Sequence, residues 1–164
     1  MPDREIQLLL ELIDQAFDHR AWHGTNLRGS IRGLDLKTAS WRPARDRHNI
    51  WELLLHAAYW KYVARRRLLG EKRGSFPLEG SNFFARPVPA HDDERALKAD
   101  IKLLSQTHKS LREAVAATRA KDLRVTPRGA TTTNLALITG IASHDLYHAG
   151  QIQLLKRLAR AAKG

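Results

Sequence analysis

One run of apolar residues constrains this chain more than any other: Leu97, Ile101, Leu104, His108, Leu111, Val115 and Thr118 alternate by four and three without a slip. That rhythm keeps one face of an α-helix continuously apolar, the pattern of a packed helical seam and one that no strand can reproduce. The seam must be covered by other helices. Three further segments repeat the logic. Ile6, Leu9, Leu10, Ile13 and Phe17 share a face in a first helix begun by Pro2-Asp3 and interrupted near Gly24. Asn49 followed by Glu52 has the form of a capping box and predicts a second helix running to Leu69 and stopping at Gly70. Asp92-Asp93 caps the seam helix, and threonines 131 to 133 offer caps for a last helix whose inward line reads Leu137, Ile141, His144, His148, Ile152 and Leu155.

Between these rods, Thr25-Asn26 begins a short helical piece carrying Leu27, Ile31 and Leu34, and Asp35 to His48 reads as a connector containing Pro43. Glu71 to His91 holds Gly74, Pro77, Gly80, Pro87 and Pro89 together with Phe76, Phe83 and Phe84. A structured connection of that length is functional or spans the end of a bundle, and its phenylalanines are expected to plug the core. The 164 residues suffice for one core and are too few for two ordinary domains, so residues 1–164 are read as a single all-α domain.

Composition narrows the chemistry. Cysteine is absent, so a metal ion must rest on nitrogen and oxygen ligands, and no thiol nucleophile exists. No run approaches membrane-spanning length and the charged start does not read as a secretory signal, which predicts a cytoplasmic protein without a membrane partner. The formal charge of +11 invites a polyanionic partner. Its densest stretches, Arg42 to Arg47, Arg65 to Arg73 and Lys156 to Lys163, lack a groove-reading motif, so a solvated basic surface is preferred over nucleic-acid binding.

The histidines carry the functional argument. Residues four apart on a helix differ by about 40° in direction and sit one turn apart, so His144 and His148 can present two imidazoles to one ion. Such a pair arises easily by chance among eight histidines. Position strengthens it: His56 shares its side of the second helix with Leu53, Trp60 and Val63, while Lys61 and Arg65 point away. Three inward imidazoles left unpaired would each cost about 1 to 3 kcal/mol, and one shared ion relieves all three. Asp145, Glu52 and Gln151 are candidates to hold the second ring nitrogens, and Asn26 or His23 to meet a substrate. His108 is read as structural, and His19, His48 and His91 carry no argument.

Three stretches resemble the DinB-like superfamily of bacterial four-helix proteins: His144-Asp145-Leu146-Tyr147-His148-Ala149-Gly150-Gln151-Ile152, Ile50-Trp51-Glu52-Leu53-Leu54-Leu55-His56 and Ala21-Trp22-His23-Gly24, reinforced by Phe76-Pro77-Leu78-Glu79-Gly80. The resemblance implies a four-helix bundle with a long crossover connection, and a divalent ion on His56, His144 and His148. Zinc is the first expectation, with nickel or iron as alternatives. It also implies kinship with thiol-dependent transferases and isomerases, so the expected function is a metal-dependent enzyme that activates a low-molecular-weight thiol or water for transfer or hydrolysis. The alternative is a basic stress-response module that contacts nucleic acid or acidic partners and carries a structural metal. A homodimer is compatible with either.

Overall fold

A computed structural model describes residues 3–88 and 93–162. The expected roles of Pro2, Pro89, His91, Asp92 and Lys163 fall outside those residues. Among them the chain is all α-helical: α1 (Arg4–Phe17), α2 (Leu27–Ser30), α3 (Leu36–Ser40), α4 (Ile50–Leu69), α5 (Asp93–Ala117) and α6 (Asn134–Ala161), with one 3-10 turn at Ala120–Asp122. Four are long and two short. The short α3 lies inside the stretch read as a connector, started by Asp35, whose carboxylate accepts from the Thr38 amide at 2.6 Å. Five residues are too few to show a period, so only the cap could have announced it.

The helix signals act as the residues suggest. Asp3, Asn49 and Thr133 accept amide hydrogens at the starts of α1, α4 and α6, and Asn49 and Glu52 complete the reciprocal capping box. Gly70 closes α4 at φ 67°, a left-handed conformation that costs glycine little.

The long helices pack in a ring, α1 against α5 and α6, and α4 against α5 and α6. Their directions follow from side-chain pairs. Trp51 meets Asp100 and, further along both helices, Lys61 meets His108, so α4 and α5 run parallel. His56 meets His144 and His148, whereas Arg67 lines a cavity with Thr132 and Ala136, so α4 and α6 run antiparallel. A parallel neighbour obliges the chain to return along α4, a helix of about 30 Å, before α5 can begin. The segment after Gly70 therefore runs lengthwise beside α4 instead of capping the bundle end.

That lengthwise path explains why α4 is buried on nearly every side, from Ile50 through Ala58 and again from Lys61 to Ala64. Phe84 enters the core, and Phe76 packs with Tyr59 and Tyr62 at 5.3 Å, as core plugs should. Phe83 departs from that expectation and sits over the histidines. The buried line of α6 is centred on Ile138, Ala142, Asp145, Ala149 and Ile152, and His144 is only half-buried at its edge. No helix among the described residues is long and apolar enough to cross a membrane.

Candidate metal centre

His56 projects from the middle of α4, and His144 and His148 from consecutive turns of the antiparallel α6. Their Nε2 atoms converge: His144 lies 3.0 Å from His56 and 3.1 Å from His148. One nitrogen from each ring falls within 4.8 Å of the others. Nitrogens bound tetrahedrally at 2.0–2.1 Å from one zinc ion stand about 3.3 Å apart, so the observed spacing is close to that of a ligand set.

The outer nitrogens decide how the inner ones are charged. His56 Nδ1 lies 3.0 Å from the Asn82 carbonyl, which can only accept, so the ring carries its proton there and turns a lone pair inward. His148 Nδ1 stands in the same relation to Gln151 Oε1 at 2.7 Å. Two lone pairs then face His144 Nε2. A proton on that atom could satisfy one of them, whereas a cation between the three satisfies all, and the donor set fits a divalent ion of borderline softness. His144 Nδ1 is buried without a partner among the described residues.

Burial holds all three rings neutral, the form a metal requires. It pushes His56 down to about 4, against a contrary pull from the Asn82 carbonyl. His144 falls to about 3, chiefly by burial and then by the neighbouring His148, His56 and Lys61. His148 is lowered by burial, partly offset by Gln151.

A cavity of about 550 Å³ opens onto the trio, with Leu53, Phe83, Tyr147 and Leu154 as apolar walls and Arg47, His48 and Gln151 as polar ones. Phe83 lies between two imidazoles, stacked on His48 at 3.7 Å and on His56 at 4.1 Å.

A family model described as the DinB superfamily matches residues 19–152. The chain belongs to the DinB superfamily. No curated protein and no solved structure matches it. The DinB match takes in all three histidines, and in this DinB chain their geometry can hold a metal ion.

The other residues singled out in the sequence are distributed differently. Gln151 reaches a ring of the trio. Glu52 does not: its carboxylate takes two bonds from Arg42 at 2.9 and 2.5 Å, one from His48 at 3.0 Å and one from the Arg86 amide at 3.2 Å. It lies one turn before His56 and faces the connections instead. Asp145 turns into the core, where it pairs with Lys61, because the residue after His144 points about 100° round the helix. Asn26 has its amide on the His19 carbonyl at 2.9 Å and its oxygen on the Gly29 amide at 2.8 Å, which makes it the α2 cap. His23 is exposed and does not line the cavity.

Lys61, expected to point away from the His56 side, is 1% exposed. The side of α4 opposite His56 is covered by α5 and α6, so pointing away from the histidine means pointing into the bundle. Sequence reasoning also passed over Asn82, set His48 aside and expected Phe83 in the core. Asn82, at φ 68°, offers its carbonyl to His56 and its side-chain oxygen to Trp60 Nε1 at 2.9 Å. Its turn signal is visible in Gly80-Ser81-Asn82, but its target is fixed only by the return path of the crossover.

Proposed function

We propose that this DinB chain is a metal-dependent enzyme in which His56, His144 and His148 hold one divalent ion, zinc first, and a low-molecular-weight thiol or water is activated for transfer or hydrolysis. The reading is supported above all by one observation: three Nε2 atoms converge at the wall of a 550 Å³ cavity while two of their Nδ1 atoms are fixed by acceptors. Three protein ligands leave a coordination position open, the mark of a catalytic rather than a closed structural site. An ion there lowers the pKa of a bound water or thiol and supplies a nucleophile near neutral pH.

The chain's own residues divide the remaining work. Leu53, Phe83, Tyr147 and Leu154 give the cavity apolar walls that exclude water from part of it. His48 lines the same cavity with Nδ1 held by Glu52, which leaves its Nε2 as the proton acceptor for an incoming thiol or water. Arg47 stands on the wall to meet an anionic group of the substrate. The same reading places the reaction in the cytoplasm, where low-molecular-weight thiols are abundant and reduced.

Metal analysis of the purified protein tests the site. About one ion per chain is expected, and His148→Ala should lose it while retaining the helical fold. Unchanged metal content in that variant would remove the proposal. Cobalt-loaded protein tests the substrate class, because a thiol entering the open position changes the visible absorption. Chelation that lowers the melting temperature yet leaves turnover intact would make the ion structural.

A further inference from the structure

The end of the bundle away from His48 holds a second concentration of charge that the metal chemistry does not use. Arg66 and Arg67 stand in the last turn of α4. Arg73 of the crossover and Arg128 of the connection into α6 join them around one cavity of about 500 Å³. Four guanidinium groups from three separate segments thus share one hollow. The carboxylate on its wall, Glu71, is already held by Arg65 at 2.6 and 3.0 Å. Among the described residues Arg67, Arg73 and Arg128 form no ion pair, and Arg66 Nε is buried without an acceptor.

Cations gathered in this way repel one another, and an anion lying among them relieves that repulsion. Guanidinium forks match phosphate oxygens with paired, charge-assisted bonds. Asn134 lines the same cavity, and its Oδ1 is buried without a partner among the described residues. The volume lies in the range of small-ligand pockets, roughly 300–1,000 Å³, and the hollow is concave where a polynucleotide would need a stripe.

We infer that this cavity binds a phosphate-bearing small molecule at a site separate from the histidine centre. None of His56, His144 and His148 lines this hollow, and Arg67 lies roughly 16 Å beyond His56 along α4.

Calorimetric titration of the full metal-loaded chain with pyrophosphate, at constant ionic strength, tests it. Saturable one-site binding that weakens with added salt is expected. In Arg73→Ala/Arg128→Ala, which removes two exposed side chains, the affinity should fall about tenfold or more, with metal content and melting temperature unchanged. His148→Ala should bind pyrophosphate as the parent does, which separates this site from the proposed catalytic one. Heat no greater than that of sodium chloride at equal ionic strength, or full affinity in the double variant, overturns the inference. So does retention of a single-stranded oligonucleotide without pyrophosphate binding, which would assign the arginines to a polynucleotide surface.

Discussion

Lys61 and Asp145 pair in the middle of the bundle, each 1% exposed, and the contact continues to His108 Nδ1 at 3.4 Å from Lys61 Nζ. His108 Nε2 in turn lies 3.7 Å from Asp14, which Arg112 holds at 2.9 and 3.0 Å. Burial pushes Asp145 up to about 6, opposed by the Lys61 charge. All four long helices contribute to this line, α5 twice. Replacing Lys61 by Met should destabilise the protein by about 3–5 kcal/mol, because it strands a carboxylate whose second oxygen already lacks a partner among the described residues. The double variant Lys61→Met/Asp145→Leu should recover most of that loss in chemical denaturation, and an equally unstable double variant would show that packing and not charge is at stake. Gln151 offers a subtler test. Gln151→Ala frees His148 Nδ1 from its acceptor, and metal affinity measured against a competing chelator should drop about 10- to 100-fold without loss of the fold.

At the scale of elements, the crossover does the positioning. Its far end is pinned at Arg86, whose amide donates to Glu52, whose carbonyl accepts from Asn49 Nδ2 at 2.8 Å and Arg42 at 3.1 Å, and whose side chain meets Asp100 at 2.8 Å. The capping residues of α4 therefore fasten the strap that delivers Asn82 and Phe83 to the histidines. Glu52→Ala should speed amide hydrogen exchange across residues 81–88 and weaken metal binding by about tenfold, although Glu52 touches no ring of the trio. Unaltered exchange in that segment would mean that Asn49 and Arg42 suffice. The capping box was legible in the sequence because it is a local device, confined to four consecutive residues. Its second duty was not, since Arg86 lies far away in the chain and arrives only when α5 runs parallel to α4.

For the molecule as a whole, three buried histidines and the half-buried His144, all neutral, make stability depend on pH. His108 is pushed down to about 2 by burial and by Lys61, His56 stands at about 4 and His144 at about 3, and His148 is also lowered. An unfolded chain takes up protons on these rings near 6.5, so below that pH it binds more protons than the folded one. Stability should be fully present above about pH 7 and fall as pH drops, by up to ~1.4 kcal/mol per unit for each ring. Denaturation of chelated protein at pH 7, 6 and 5 measures the slope; a flat profile would contradict it. Added zinc should lessen the loss, because metal on the trio competes with protons, and the part due to His108 should persist.

The amino-acid sequence by itself determined that the chain is helical, where its long helices begin, and that His56, His144 and His148 lie on or beside apolar faces. These are local properties, set by period, caps and breakers within one rod. Which rods lie side by side, and in which direction, was decided by tertiary packing. That choice brought His56 to the pair on α6, buried Lys61 on Asp145, gave Glu52 to Arg42 and Arg86, and laid Asn82 and Phe83 on the site. A helical period fixes the direction of a side chain about its own axis, but the atom it meets depends on the register of a neighbour, and that register is a sum over the whole interface.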